Sequence, residues 1–273
     1  MTWLLLDAGN TALKWALTGT GEPSALARGL LELGTSAGTL AGALRQSLRE
    51  SPVGVSGAQA FGCSVASEQM TQEIAAAVDP LTHGGIRWLS SQARFELRGV
   101  ELLNGYRDPA QLGADRWHAM IAARLSFPGQ PLVVVCAGTA TTVDSIDAAG
   151  RFLGGVIAPG ASLMTESLAR GTARLPRSTG RPAAMPDNTD DAIATGVADA
   201  LAGLVERRVR ALRRATAPPQ LVVAGGRAGE LASRLTLADD VGGITIEEHL
   251  VLRGLWFRAL AAVQADADRP DPK

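Results

Sequence analysis

Two strand–turn–strand segments, about half a chain apart, constrain the fold more than any other feature of this sequence. In the first, the apolar run Trp3–Leu6 leads into the turn Asp7–Thr11 and a second strand that begins at Ala12. In the second, Leu132–Val135 leads into the turn Cys136–Thr142. A glycine turn between two strands lets the backbone approach a phosphate closely and present N–H groups to it. The two hairpins therefore predict two related lobes that hold a polyphosphate between them.

The apolar periodicity of the two halves predicts the same order of elements in each. In the first half we expect strands at 3–7, 12–17, 29–33, 58–65 and 86–89, with helices at 37–48 and 68–78. In the second half we expect strands near 131–136, 141–147, 152–158 and 221–224, with helices from about 162, over 190–214 and over 228–235. Three strands in hairpin order, followed by alternating helices and strands, are typical of a mixed α/β sheet covered by helices. We expect one lobe over residues 1–115 and the other over 116–273. The last helix, over 252–263, is a candidate to pack back onto the first lobe.

Composition limits the partners and the compartment of the protein. The chain has 273 residues and a net charge of −1, and we find no basic recognition helix, so neither a polyanion nor nucleic acid is an expected partner. The two cysteines follow or lie in apolar runs, which predicts buried free thiols in a reducing compartment. The three histidines lack metal-ligand spacing. With no signal-peptide pattern and no apolar run near ~20 residues, we expect a cytoplasmic protein without a membrane partner.

The segment from Asp7 to Lys14 has the side chains that phosphate recognition needs. Gly9 allows close backbone approach, Asn10 and Thr11 offer amide and hydroxyl donors, and Asp7 is a carboxylate that can hold Mg²⁺ or its waters. The alternative is an ordinary hairpin turn in which Asp7 bonds to turn N–H groups. A similar glycine turn recurs at Gly138-Thr139, which favours the interpretation as a phosphate-binding segment.

A second cluster, Gly113-Ala114-Asp115-Arg116, opens a predicted helix. Asp115 is a candidate general base for a substrate hydroxyl, and Arg116 suits bidentate contact with a carboxylate or phosphate. The alternative is that Asp115 is an N-cap and Arg116 an exposed residue of the first turn.

Three further positions have both a structural and a functional interpretation. Gly225-Gly226 ends a buried strand, where bare backbone lets a planar base lie close; a simple strand-to-helix turn is the alternative. Thr189 precedes the long helix and is either a helix cap or a contact to a substrate hydroxyl. Cys136 has no adjacent histidine, which favours a buried thiol over a nucleophile.

These segments, in this order, resemble the type III pantothenate kinases of the acetate/sugar kinase, heat-shock ATPase and actin superfamily. The matching segments are Asp7–Thr11, Tyr106–Pro109, Gly113–Arg116, Gly138–Asp144, Gly154–Gly160 with Met164 and Leu168, Thr172–Pro176, Asn188-Thr189 and Gly225-Gly226. The resemblance implies two ribonuclease-H-like lobes around a central nucleotide cleft. It also implies ATP-dependent phosphorylation of pantothenate to 4'-phosphopantothenate, the first step of coenzyme A biosynthesis.

The resemblance further implies a role for each matching residue. Those for ATP and its phosphates are Asp7, Ala8, Gly9, Asn10, Thr11, Ala12, Leu13, Lys14, Gly138, Thr139, Gly225 and Gly226. Those for pantothenate are Tyr106, Gly113, Ala114, Asp115, Arg116 and Thr189. Asp115 would be the catalytic proton acceptor, and Asp7 would organise Mg²⁺ together with the phosphates. A homodimer is expected, with the substrate site at or near the subunit interface.

One departure from the family concerns Cys136, which occupies a position where family members often have an aspartate that helps bind K⁺ or NH₄⁺. A thiol is a poor ligand for a hard cation, which prefers oxygen, so the monovalent cation stays an open question. Asp144, on the partner strand of the same hairpin, is a candidate replacement. Two alternatives to the pantothenate kinase also stay open: a kinase for another small hydroxy acid or sugar, and a non-catalytic regulatory protein. The latter arises because the resemblance extends to bacterial accessory proteins named as transcriptional activators.

Overall fold

The computed structural model of this chain describes residues 2–21, 25–33, 40–51, 54–172, 175, 178–237 and 239–267. The chain divides into two compact units, Met1–Leu125 with Leu250–Lys273, and Ser126–His249. The boundary expected between 115 and 116 lies inside one helix, Ala114–Ser126, whose hydrogen-bonded backbone keeps it in unit 1 almost to its end. The last helix also belongs to unit 1, which the sequence left as an open alternative.

Unit 1 is built on a five-stranded sheet. Its strands are β1 (Thr2–Ala8), β2 (Ala12–Gly19), β3 (Ala25–Glu32), β4 (Gln59–Ser64) and β5 (Ile86–Trp88), in the order β3-β2-β1-β4-β5. The first three strands pair antiparallel, and β4 and β5 add in parallel. The parallel connections run through helices α1 (Leu40–Arg49) and α2 (Glu68–Val78). Residues 3–8 of β1 are all buried, as expected of a central strand covered on both faces.

Unit 1 also contains a small hairpin and two helices. The hairpin pairs β6 (Arg94–Leu97) with β7 (Val100–Leu103), and its turn places Arg98 and Gly99 at positive φ. Helix α3 (Ala114–Ser126) is buried at every residue from 116 to 124, and it approaches helix α7 (Leu250–Ala267) at Gly254. A Cβ at Gly254 would lie 1.7 Å from the carbonyl oxygen of His118, so only glycine fits there.

Unit 2 repeats the strand order of unit 1. Its strands are β8 (Leu132–Ala137), β9 (Ala140–Ile146), β10 (Phe152–Pro159), β11 (Gln220–Ala224) and β12 (Gly243–Ile246), in the order β10-β9-β8-β11-β12. Its helices are α4 (Ala161–Gly171), α5 (Thr189–Arg213) and α6 (Ala228–Ala232). The apolar stripe of α5, including Val197, Leu201 and Val205, packs in one core cluster with the valines of β8 and β9. The predicted mixed α/β class, with the same strand order in each half, is confirmed.

Some predicted boundaries lie outside the described residues. The start of the helix expected at 37 falls there, as do residues 173–174 and 176–177 of the loop expected over 172–187, and the tail from 268. Helix α7 continues beyond Gln264 to Ala267. Among the described residues, no helix combines the length and apolarity needed to cross a membrane.

Candidate active site

The first hairpin places Asp7 at the end of β1, next to the turn predicted to bind phosphate. The turn closes through a 3.0 Å hydrogen bond from Gly9 N–H to the carbonyl of Ala12. Asn10 and Thr11, at the tip, are exposed, whereas Ala8 and Leu13 on the flanking strands are buried. The antiparallel register sets Lys14 of β2 directly opposite Asp7. The loop therefore presents its tip outward while the carboxylate at its base is held in the sheet.

The environment of Asp7 is unusual for an ionised carboxylate. The residue is 8% exposed, and burial raises the pKa of its carboxyl from 3.8 to about 6. The positive charge of Lys14 opposes this rise in pKa, and the negative charge of Asp115 adds to it. The Cys63 thiol donates to Asp7 Oδ1 at 3.9 Å, and the pKa of that thiol is itself raised by burial. Two carboxylates thus share one buried region, an arrangement that a bound cation would relieve.

Asp115 lies in the first turn of α3, close to the first hairpin. Asp115 is close enough to Asp7 for its negative charge to raise the pKa of the Asp7 carboxyl. Gly113 makes room for the Asp115 carboxylate, because a Cβ at Gly113 would lie 2.7 Å from Asp115 Oδ1. Asp115 is the second residue of the helix, so it is not the N-cap considered from sequence; its Oδ1 instead accepts from the Arg116 N–H at 2.8 Å. Burial raises the pKa of Asp115 above 3.8, against the opposing effects of Arg116 and Lys14.

Arg116 and Tyr106 form a second polar pair in unit 1. Arg116 is only 4% exposed, which contradicts the alternative of an exposed residue in the first turn. Its Nη1 donates to the Tyr106 hydroxyl at 3.1 Å, and its guanidinium lies 5.7 Å from the centre of the tyrosine ring. Asn104 anchors the Tyr106 loop by accepting from the Tyr106 N–H and donating to the carbonyls of Gln92 and Pro109. The guanidinium is therefore held in place, as recognition of a planar anion requires.

The second hairpin turn, in unit 2, is packed against Gly160. Gly138 and Thr139 are exposed at the turn, which closes through Gly138 N–H to the carbonyl of Ala140 at 3.1 Å. Gly160 donates to the Thr139 carbonyl at 2.8 Å, and a Cβ there would lie 2.1 Å from the Gly138 carbonyl oxygen. Gly160 is the N-cap of α4, so this contact brings the N-terminus of that helix to the turn. Helix N-termini favour negative charge, which suits a phosphate at this position.

Gly225 and Gly226 follow β11 and differ in what they allow. Gly225 has φ +99°, and a Cβ there would lie 2.4 Å from the carbonyl oxygen of Ala137, whereas a Cβ at Gly226 meets nothing within 4 Å. Gly225 is thus required by packing, which agrees with the alternative of a simple strand-to-helix turn. Gly226 leaves open space beside the backbone. Beside them lies a cavity of about 160 Å³ whose lining includes Gly138, Thr141, Ser178, Gly180, Arg227 and Arg234.

Thr189 is in unit 2, at the first residue of α5. The cap of this helix is Asn188, whose Oδ1 accepts from the Asp191 N–H at 2.9 Å, so the interpretation of Thr189 as the cap is wrong. Thr189 is exposed and lines a groove between α4 and α5 together with Met164, Leu168 and Ile193. Tyr106, Gly113, Ala114, Asp115 and Arg116, the other residues expected to bind pantothenate, all belong to unit 1.

Both cysteines are free thiols, as predicted. Cys63 is buried, whereas Cys136, also predicted to be buried, is half-buried at the end of its strand. Cys136 pairs with Thr142 across the hairpin, and Asp144 is two residues farther along β9. Because side chains alternate along a strand, Cys136, Thr142 and Asp144 share one face of the sheet. Thr142 Oγ1 is buried without a hydrogen-bond partner, and Asp144 is 1% exposed.

A divalent metal bound by this protein would be held by Asp7 together with phosphates and water, and not by a cluster of protein side chains. Among the described residues, no group of three or more His, Cys, Asp or Glu side chains could hold a metal. Asp7 supplies a buried oxygen ligand with a second carboxylate nearby, which is consistent with a hard cation that takes its other ligands from phosphates and water.

Sequence reasoning missed three contributors to these surroundings. They are Cys63, which donates to Asp7, Asn104, which anchors the Tyr106 loop, and Arg234, which lines the cavity in unit 2. Gly160 carried a signal, since it ends the segment Gly154–Gly160 that resembles the family. Cys63 and Arg234 have no local pattern, because their surroundings come from residues distant in sequence. Asn104 is different, since it is only two residues from Tyr106 and is a residue typical of turns.

Comparison with solved structures defines the fold first. A putative 2-dehydro-3-deoxygalactonokinase from Sinorhizobium meliloti has a TM-score of 0.58 and 15% identity, with 99% of this chain and 98% of that chain covered. An activator of 2-hydroxyisocaproyl-CoA dehydratase from Clostridium difficile with bound ADPNP has a TM-score of 0.55 and 14% identity, with 100% of both chains covered. At these identities the likeness concerns the fold alone, which is that of the actin-like ATPases and sugar kinases.

Sequence comparison then defines the family. The family model described as type III pantothenate kinase matches residues 3–211. A type III pantothenate kinase of Janthinobacterium sp. (strain Marseille) is 41% identical over 269 residues, covering 94% of this chain and 97% of its own. One of Laribacter hongkongensis (strain HLHK9) is 42% identical over 253 residues, covering 92% and 96%. The chain belongs to the type III pantothenate kinase family, which makes it a phosphotransferase. Membership of a kinase family implies the use of ATP and usually of a divalent metal.

Proposed function

We propose that this protein transfers the γ-phosphoryl group of ATP to the primary hydroxyl of pantothenate, giving 4'-phosphopantothenate, the first step of coenzyme A biosynthesis. The observation that carries the proposal is the proximity of two carboxylates, Asp7, buried at the phosphate hairpin, and Asp115, half-buried at the start of α3. Asp7 binds the metal that accompanies the phosphates, and Asp115 accepts the proton of the substrate hydroxyl.

Asp115 is the proton acceptor in this mechanism. Phosphoryl transfer passes through a loose transition state, so the protein mainly positions groups and stabilises charge. Asp115 accepts the proton of the pantothenate hydroxyl as the bond to phosphorus forms. Burial raises its pKa, which makes the carboxylate a stronger base than a solvent-exposed aspartate. The N–H of Arg116, which donates to Oδ1, keeps the carboxylate oriented.

Asp7 organises the phosphate end of ATP. Mg²⁺, when bound with the phosphates, supplies charge neutralisation at the transferring group. Asp7 supplies an oxygen ligand from the base of the first hairpin, and the turn from Gly9 to Thr11 offers donors at the tip. Lys14, opposite Asp7 in the register, adds a positive charge on the same hairpin.

Unit 2 holds the second group of residues that we propose to bind ATP. The turn at Gly138 and Thr139, with the N-terminus of α4 beside it, contacts the phosphates. The open backbone at Gly226 lies near adenosine, and the cavity lined by Arg227 and Arg234 is large enough to take part of the nucleoside. Glycines at both positions, 138 and 226, leave the backbone accessible to the ligand.

Arg116 binds the carboxylate of pantothenate, with Tyr106 as its partner. The hydroxyl of Tyr106 accepts from Nη1, and the ring lies beside the guanidinium, so the remaining N–H groups have a fixed direction. Gly113 and Ala114 shape the entrance next to Asp115, and Thr189 contacts a substrate hydroxyl.

A homodimer completes the proposed assembly. On the β10 edge of the unit 2 sheet, Leu153 is 51% and Ile157 64% exposed, and Leu163 on the following helix α4 is 39% exposed. None of the residues of α4 is buried in the single chain. An exposed apolar edge strand next to such a helix suits association with a second copy. Thr189 lines the groove of the same helix, which is consistent with a substrate site near that interface.

The residues of this chain are poorly suited to bind the monovalent cation that the family resemblance implies. Cys136 offers a thiol where a hard cation needs oxygen, and Asp144 offers a carboxylate on the same face of the sheet. We propose that any activation by K⁺ or NH₄⁺ is weak and depends on Asp144.

ADP release tests the choice of acceptor. Purified protein with Mg·ATP is compared on pantothenate, on other small hydroxy acids and on sugars. Turnover that requires pantothenate is the expected result. Turnover only with another acceptor would replace the substrate, and bound ATP without turnover on any acceptor would support a regulatory protein instead.

A further inference from the structure

A second cavity lies in unit 1 and is lined by none of the residues assigned to ATP or pantothenate. Its volume is about 450 Å³, within the range of small-molecule sites and far larger than a single water requires. The end of β5, the chain up to β6 and the second half of α7 form its walls. The lining side chains used in the argument are Arg87, Trp88, Arg94, Phe95, Glu96 and Arg258.

Arg258 of α7 is the unusual residue of this cavity. It is 8% exposed, and its side chain makes no hydrogen bond or ion pair with the residues that the structure describes. Its Nε is buried without a partner, and its guanidinium lies 5.9 Å from the centre of the Phe95 ring. Burial of an arginine without an acidic partner costs free energy, because the charge loses its hydration. A bound anion would offset this cost.

The charges around Arg258 are mostly positive. Arg87 lowers the pKa of Arg258 further by like-charge repulsion, after the larger effect of burial. Arg94 is already paired with Glu96, at 2.7 Å, and with Glu101. On the inner side, His118 is fully buried, and the charge of Arg258 contributes to the lowering of its pKa to about 3, which keeps the imidazole neutral. The lining therefore has three arginines against one glutamate, and no carboxylate of the lining is paired with Arg258.

We propose that this cavity binds a small organic anion, whose phosphate or carboxylate group pairs with Arg258 and Arg87. Arginine guanidinium groups suit bidentate contact with either group. The rest of the ligand contacts the apolar surface of Trp88 and of three alanines on α7, which favours an apolar or planar body. Those alanines are Ala261, Ala262 and Ala265.

Calorimetric titration with 1-naphthyl phosphate tests the site in the complete chain. A non-hydrolysable ATP analogue with Mg²⁺ and pantothenate are present at saturation, so that the phosphate hairpins are occupied. We expect one saturable site in the wild type, and a loss of affinity of at least about tenfold in Arg258→Gln, equal to about 1.4 kcal/mol. Arg87→Gln, at the more exposed arginine, weakens binding less. Arg253→Gln is the matched control, because it removes an arginine from the same helix outside the cavity lining.

Two further measurements separate ligand binding from a structural role. Without ligand, Arg258→Gln is expected to melt no lower than the wild type, because it removes a buried charge that lacks an acidic partner. Inorganic phosphate, titrated in the same way, is expected to bind more weakly than 1-naphthyl phosphate. The proposal is overturned by absence of saturable binding, by unchanged affinity in Arg258→Gln, or by a lower melting temperature of that variant without ligand. Equal affinity for the two probes would overturn the assignment to an organic anion.

Discussion

Asp7→Asn is expected to make the protein more stable at neutral pH while it impairs the use of Mg·ATP. The folded-state pKa of about 6 exceeds the ordinary value of 3.8, so the folded state holds the proton more tightly than the unfolded state between these values. Stability contributed by Asp7 therefore falls as pH rises from about 4 to 6. The interval between 3.8 and 6, at 1.36 kcal/mol per pKa unit, corresponds to a cost of about 3 kcal/mol above pH 7. Asparagine has nearly the same shape and carries no such charge.

Urea unfolding followed by tryptophan fluorescence measures this effect where it occurs. All five tryptophans belong to unit 1, and Trp3 and Trp15 lie on the two strands of the Asp7 hairpin. The gain in the free energy of unfolding should be about 3 kcal/mol at pH 7.5 and roughly half of that at pH 5. Glu73→Gln, on the exposed surface of α2, is the control and should change stability by less than about 0.5 kcal/mol at both pH values. A variant less stable than the wild type at pH 7.5, or a gain independent of pH, would refute the reasoning.

Four further predictions concern catalysis and binding. Asp115→Asn should lower kcat by roughly 10²–10⁴, the usual scale for loss of a general base, and near-wild-type turnover would remove Asp115 from the mechanism. Arg116→Ala should raise mainly the KM for pantothenate; an effect confined to ATP would place its role elsewhere. Cys136→Asp should create or strengthen activation by K⁺, and an unchanged response in ADP-release assays would reject that interpretation. Gly225→Ala should lower the melting temperature because of the positive φ and the contact with Ala137, whereas Gly226→Ala should fold normally and raise the KM for ATP; equal melting temperatures for the two variants would contradict the structure.

Most strands of the two sheets were predictable because they are apolar runs bounded by turns. The buried run of β1 and the stripe of α5 have periodicities that sequence alone expresses, and the register confirms the hairpin order in both units. The order of the motifs also made Asp7, Asp115 and Arg116 candidate site residues, and their role stays a prediction.

Other features depend on contacts that no local pattern expresses. Strands β6, β7 and β12 have only four residues each, which is too short for a clear alternation of apolar and polar side chains. The burial of Arg116 and the capping of α5 by Asn188 rather than Thr189 follow from tertiary packing and cap geometry. Arg258 looks like a surface residue in the sequence of α7, and only the fold shows that it is buried.

Detection of the phosphorylated product tests the central claim most directly. Purified protein is incubated with Mg·ATP and pantothenate, with and without K⁺ or NH₄⁺, and the products are followed by ³¹P NMR, with Asp115→Asn as the control. The account predicts a new phosphate monoester on the primary hydroxyl of pantothenate, formed together with ADP and greatly slowed in the variant. ADP without that ester, or an ester formed equally fast by Asp115→Asn, would contradict it.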